Sequence, residues 1–294
     1  MTVQEALEFA DRHVPKGIPE DLRNACKCEP IDPDWPIGGP LDALRVLMAW
    51  EHYDNQPKHT IGEIAYRITH SHHFEYEDLQ RYGVAEVYQK SLATKYVSIG
   101  WFLAGRYNQD NFLVEEFTRL GWPNFKLLDF GAAPWIQSIF YAKKGFDVTA
   151  VNQSRSSDCH RFGMFLAEAN GLTRQHVGEP LETVWTKAFS NGKIRSYASD
   201  ESWHEQTYDV IYAVDVLEHI PPNPDGSLGW IPLAERMLNA LKPGGMCYIS
   251  APFEKADGVA RPVETHPVHY TSPISIEDWL RAEGMIYKGW WEKP

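Results

Sequence analysis

The spacing of apolar residues divides the chain into two parts. From Met1 to about Asn124 the apolar positions recur at helical intervals, and strand-like alternation is almost absent. The opening stretch MTVQEALEFADRHV reads as an amphipathic helix running to about Val14, with Thr2 placed to cap it. Pro40 opens PLDALRVLMAWEHY, where its missing N–H is harmless in a first helical turn. Leu44, Leu47, Met48 and Glu51 continue the helical repeat. Further helices are predicted over residues 61–69, 76–92 and 111–120.

From Lys126 onward short apolar runs alternate with helical segments. KLLDF, FDVTAV, KIRSYAS, YDVIYAV and MCYISA read as strands, and MIYKGWW as a final one. Helices are predicted over residues 134–144, 157–170, 233–241 and 274–283. The stretch from Thr173 to Gly192 is longer than an ordinary connection, and an extra helix is expected there. Strand–helix alternation makes the fold class α/β, with a doubly wound, mostly parallel sheet. Residues 125–294 form that Rossmann-like domain, and residues 1–124 form an N-terminal helical cap. The cap is expected to shape a pocket against the sheet.

Composition narrows the function. Lys and Arg number 28 against 40 Asp and Glu, a formal net charge of −12. A protein that grips phosphate backbones needs a cationic face, and no basic run longer than Lys143-Lys144 occurs, so nucleic acid is not an expected partner. No long apolar run marks a membrane span or a signal peptide, which leaves a cytoplasmic protein with no membrane partner as the expectation. The 11 Trp residues suit a large core or an aromatic-lined pocket. Cys26-Lys27-Cys28 offers half of a metal site with no second pair to complete it. His70, His72 and His73 with Glu75, Glu77 and Asp78 crowd in sequence, but a metal needs converging ligands, so they read as a hydrated connection and no metal is expected.

The sharpest segment is LLDFGAAPWIQSIF. A strand ending at Asp129, a turn at Gly131 and a helix begun at Pro134 is the geometry in which open α/β sheets bind ligands. Gly131 permits a tight turn and close approach of a ligand, helix N-terminal amides face an anionic group, and Asp129 accepts from an ammonium. A nicotinamide fingerprint would need GxGxxG and an acid on the second strand, and both are missing.

This loop, Asp129-Phe130-Gly131-Ala132-Ala133-Pro134-Trp135, resembles the (D/E)xGxGxG motif of class I S-adenosylmethionine-dependent methyltransferases, with Ala133 and Trp135 in place of the later glycines. YDVIYAVDVLEHIPP is similar to that family's fourth-strand motif, LNALKPGGMCYISAP to its helix–turn–strand, and HPVHYTSPISIEDWLRAEGM to the late segment of its small-molecule branch. The resemblance covers the chain from about Lys126 and implies S-adenosylmethionine as cofactor. It also implies cofactor contacts at Asp129, Phe130, Gly131, Ala132, Ala133, Asn152, Gln153, Asp200, Asp215 and Val216. Asn152 stands where the family has a ribose-binding acid, and Asp200 is a candidate for the adenine amine. The family's seventh strand, antiparallel at the sheet edge, has no evident counterpart in the pattern.

Methyl transfer to a hydroxyl or amine of a small molecule is the expected reaction. Alignment of the two reactants carries most of it, assisted by a base. His269 ranks first for that role, then His266, then His219. Two alternatives stay open: cyclisation or elimination of the same donor releasing methylthioadenosine, and a catalytically silent binding subunit. Oligomeric state is not legible.

Overall fold

In the computed structural model, the described residues are 1–13, 32–37, 45–46, 49–50, 52–54, 107, 110–120, 125–132, 135–154, 158–177, 182–187, 192–214, 216–217, 220, 223–225, 227–250, 274–288 and 290–294. Helix α1 spans Val3–His13. Its start is a reciprocal cap: the Glu5 amide donates to Thr2 Oγ1 at 3.2 Å, and the Thr2 amide donates to Glu5 Oε2 at 2.7 Å. The sheet domain then runs β1 (Lys126–Phe130), α2 (Ile136–Lys143), β2 (Asp147–Asn152), α3 (Asp158–Ala169), β3 (Leu172–Val177), β4 (Glu182–Lys187), β5 (Lys193–Ala198), β6 (Tyr208–Val214), α4 (Ile231–Ala240), β7 (Leu241–Ser250), α5 (Ile274–Ala282), β8 (Ile286–Tyr287) and β9 (Trp291–Glu292).

Among the described residues nine strands form one sheet in the order β3-β4-β5-β2-β1-β6-β7-β9-β8. The five central strands β5, β2, β1, β6 and β7 are parallel. Chain order moves outward from β1 through β2 to β5, then restarts on the other side at β6. The switch point therefore lies between β1 and β6, where such sheets open a crevice beyond their strand tips. The central strands are apolar on both sides because helices cover both faces. Leu127, Val148 and Ala150 pack with Ile139 and Phe140 of α2 and with Phe162 and Leu166 of α3. Leu128, Val151, Ile211 and Ala213 face Met237 of α4 and Leu280 of α5 on the other side.

The N-terminal residues that are described share the first of these cores. Val3, Ala6 and Ala10 of α1, together with Trp35, Ile37, Trp50, Leu113 and Phe117, are buried in the same cluster as Leu127 and Val148. Helix α1 packs on α3. Among the described residues no helix is long and apolar enough to cross a membrane.

Two elements differ from the sequence pattern. The extra helix expected between Thr173 and Gly192 is instead the antiparallel hairpin β3–β4, with Leu172 opposite Lys187 and Val177 opposite Glu182. Thr173, Val177, Thr183, Val184 and Thr186 explain it, since β-branched residues fit a pleated strand better than a helix. The hairpin extends the sheet through β4, antiparallel to β5. The stretch MIYKGWW is two short strands rather than one. The Lys288 amide donates to the Trp290 carbonyl at 2.7 Å, which turns the chain so that β9 runs antiparallel to β7. The edge strand that had no evident counterpart is thus supplied by two residues after a tight reversal.

The register of β6 with β7 carries a bulge. Tyr208 pairs with Leu241 but Val210 pairs with Met246, so the Lys-Pro-Gly-Gly residues are pushed out of the ladder. Gly244 donates to the Lys293 carbonyl at 2.7 Å and Lys293 donates back to the Gly245 carbonyl at 3.0 Å, which ties the last residues to that bulge.

Trp291 is the apolar anchor of this edge, 7% exposed in the core formed with Leu280 and Met285. Its replacement by Ala should destabilise the protein by about 3 kcal/mol. The exposed Tyr287→Ala variant should shift stability by about 0.5 kcal/mol. Urea unfolding of both variants checks the contrast, and equal losses would contradict this packing.

Candidate cofactor site at the tips of the first two strands

The turn after β1 is fixed by two independent constraints on Gly131. Its φ is +80°, a region that side chains rarely adopt. A Cβ there would also lie 2.4 Å from Val216 Cγ2 and 2.7 Å from Val216 Cβ. The Gly131 and Ala132 amides both donate to the Val151 carbonyl, at 3.0 and 3.1 Å. That single oxygen fastens the β1 turn to the end of β2. The Ala132 carbonyl in turn accepts from the Trp135 amide, and α2 begins at the next residue.

Asp129 lies beneath this turn, 3% exposed. The Ser138 hydroxyl and amide both donate to its carboxylate, so Asp129 holds the first turn of α2. Burial pushes its carboxyl up to about 7, against the lowering effect of the two Ser138 bonds. On the neighbouring strand Tyr212 pairs in register with Asp129. Tyr141 of α2 donates to Asp110 at 3.0 Å. Burial, and then the nearby Asp110, Tyr212 and Asp129, raise the Tyr141 hydroxyl well above its ordinary value.

Trp135, in place of a motif glycine, takes a left-handed backbone with φ 72° and ψ 16° at the N-cap of α2. It is wholly buried and points at α3, where a Cβ on Gly163 would sit 2.6 Å from its Cγ. The His160 ring stands edge-on to the indole, with centroids 5.1 Å apart and planes at 88°. Asn152, the last residue of β2, is 3% exposed, and its Nδ2 lies 3.4 Å from His160 Nδ1. Asn152 Oδ1 is buried and has no hydrogen-bond partner among the described residues.

The structure therefore gathers Gly131, Ala132 and Asn152 about the Val151 carbonyl at the tips of β1 and β2, with Val216 against Gly131. Gln153 is exposed at the rim, where its carbonyl accepts from Ser199 Oγ at 3.3 Å, and Asp200 is exposed in the turn after β5. In that turn Glu201, not Asp200, reaches back to accept from the Ala198 amide at 2.8 Å. Phe130 faces away from α2, packed on Trp203 at 5.3 Å. Ala133, Asp215, His219, His266 and His269 lie outside the described residues, as does the His70–Asp78 segment. Among the described residues no three His, Cys, Asp or Glu side chains converge as a metal site. Sequence reasoning missed Ser138 and His160. Ser138 was readable as a hydroxyl in the opening turns of a helix that follows an acid-tipped strand, whereas nothing in the pattern singled out His160.

A family model described as a methyltransferase domain matches residues 102–285. The chain belongs to the methyltransferase domain family. The class I motifs and the sheet agree with that membership, and the motif resemblance implies S-adenosylmethionine as the cofactor. No curated protein matches the chain. Solved structures similar to it include a SAM-dependent methyltransferase from Methanosarcina mazei, with 21% identity, 43% of this chain and 52% of that chain covered, and a TM-score of 0.32. TehB from Haemophilus influenzae shares 15% identity over 58% of this chain and 49% of that one, at a TM-score of 0.40. Phosphoethanolamine N-methyltransferase 2 from Haemonchus contortus, in complex with S-adenosyl-L-methionine, shares 18% over 61% of this chain and 37% of that one, at 0.39. The chain thus spans about half the length of the first two and less of the third.

The residues present fit that cofactor at one point in particular. A buried carbonyl oxygen without a donor costs about 1–3 kcal/mol. Asn152 Oδ1 carries that cost at the end of β2, where a ribose hydroxyl would relieve it.

The raised carboxyl of Asp129 gives a pH signature. Its folded value of about 7 lies above the ordinary 3.8, so the folded state binds the extra proton between those limits. The stability it lends is complete below the unfolded value and is lost as pH rises through 7. Asp129→Asn removes that proton, so the variant should gain on the wild type as pH rises from 5 to 8. Urea unfolding at the two pH values checks the sign, and a constant difference would contradict it.

Proposed function

We propose that the chain transfers a methyl group from S-adenosylmethionine to a hydroxyl or amine of a small molecule. The observation that carries the reading is the buried acceptor Asn152 Oδ1, without a donor among the described residues, beside the Gly131 turn at the tips of β1 and β2. The cofactor supplies an activated sulfonium methyl, so the protein's work is binding and alignment. Gly131 and Ala132 would hold it at the β1 turn and Asn152 at the ribose, with Gln153 sharing that role and Asp200 toward the adenine. Asp129 shapes the site from below by fixing the start of α2 through Ser138. A small acceptor suits a chain of net charge −12 with no basic run in its sequence longer than Lys143-Lys144.

S-adenosylhomocysteine should bind the wild-type protein in a calorimeter. Gly131→Val, which sets a branched side chain against Val216 in a left-handed turn, should lose that binding while circular dichroism still reports the sheet. A folded Gly131→Val variant with unchanged affinity would remove the cofactor from this turn.

The base is proposed from the sequence. His269 lies in THPVHYTS, after β7 and before α5, a segment that resembles the acceptor loop of small-molecule methyltransferases. His266 and His219 stand behind it in rank. With the acceptor in hand, His269→Ala should lower kcat by roughly 10²-fold with cofactor affinity little changed. Wild-type turnover across the acidic pH range in that variant would move the role to another residue.

A further inference from the structure

We propose that His160 is a positioning residue for the cofactor ribose: it holds the amide nitrogen of Asn152, leaving Oδ1 to accept from a ribose hydroxyl, and Trp135 holds His160. The inference rests on the cofactor site proposed above and goes beyond it by assigning α3 a part in it.

An acid at the tip of β2 needs little orienting, because either carboxylate oxygen accepts a hydrogen bond. An amide has one accepting end and one donating end, and the wrong end would meet the ribose hydroxyls if it turned over. Something must therefore fix Asn152. The contact between its Nδ2 and His160 Nδ1, 3.4 Å apart, does so when the imidazole is neutral with its proton on Nε2. The amide N–H then donates to the ring, and Oδ1 is the acceptor left over. It is this atom that has no partner among the described residues.

Trp135 sets the ring plane. The indole and imidazole planes stand at 88° with centroids 5.1 Å apart, which limits rotation of the imidazole. Gly163, three residues after His160 and so on the same face of α3, leaves the space that the indole fills. The two departures from the family motif, Trp135 for a glycine and Asn152 for an acid, thus meet at a single histidine. A Trp that only filled a gap would require no contact with the histidine that meets Asn152.

The test compares ligands that differ at the ribose alone. Affinities of S-adenosylhomocysteine and of its 2′-deoxy and 3′-deoxy analogues are measured by calorimetry for the wild type, His160→Ala, His160→Asn, Asn152→Ala and the double Ala variant. The wild type should prefer the parent over at least one deoxy analogue by about 10-fold, the worth of one buried hydrogen bond. His160→Ala should lose most of that preference while its affinity for that deoxy analogue changes by less than about 3-fold. The double variant should lose no more preference than Asn152→Ala. His160→Asn places an accepting oxygen near the former Nδ1 and should restore the preference. Equal loss of affinity for all ligands in both His160 variants, or an undiminished preference in His160→Ala, overturns the proposal. Should His160→Ala fail to fold, His160→Asn decides alone: preference kept supports the proposal, preference absent overturns it. A wild type that binds the parent without ribose preference overturns only this inference, whereas a wild type that binds none of the ligands removes the cofactor site as well.

Discussion

One carbonyl oxygen organises the functional end of this fold. Val151 O accepts from the amides of both Gly131 and Ala132, so the chain leaving β1 is tied to the last residues of β2 before α2 begins. Two hydrogen bonds on one acceptor leave that turn little freedom, and Val216 against Gly131 removes the rest. Everything that follows is placed by it. The Ala132 carbonyl catches the Trp135 amide, Asp129 below catches Ser138, and Asn152 is the next residue after the carbonyl itself. Positions far apart in sequence become one rigid corner of the sheet.

The left-handed Trp135 is intelligible only with α3 in view. A non-glycine residue in that conformation costs about 1–2 kcal/mol. Burying a large aromatic side chain offsets this, because it removes some 150–250 Å² from water, at about 25 cal/mol per Å². The gain depends on room, which Gly163 provides by having no Cβ. Trp135 and Gly163 are therefore one substitution in physical terms, and a glycine restored at 135 alone would leave a void rather than recover the family's loop.

The sheet was legible because parallel strands buried on both faces read as short apolar runs, and KLLDF, FDVTAV and YDVIYAV fall where β1, β2 and β6 lie. The hairpin of β3 and β4 was not, because length suggested a helix while the β-branched residues that decide against it sit among Arg174, Gln175 and Lys187, which pattern reading takes as polar helix surface. The edge strand escaped for another reason: two residues after a reversal are too short for any periodicity to show. At the site, Gly131 and Val216 could be read from motif positions and come together in space. Phe130 shares the motif but alternates to the opposite face, as period-two geometry requires of a strand's neighbour. His160 was hidden because its role exists only when α3 folds back on β2.

The amide at the tip of β2 also has an electrostatic reason. Asp129 and Asn152 project from adjacent strands toward the same helical layer, since Asp129 pairs with Ala150 and Asn152 follows Ala150 by two residues. Burial already lifts the Asp129 carboxyl to about 7 against the lowering effect of the two Ser138 bonds. A second carboxylate at 152 would have to share that poorly solvated corner, and two neighbouring anions raise each other further. Such an acid would be biased toward its protonated form, in which one oxygen turns from acceptor to donor. A neutral Asn keeps its acceptor at every pH, and what it gives up in charge assistance it regains in constancy, on the condition that a neighbour decides which way its amide faces.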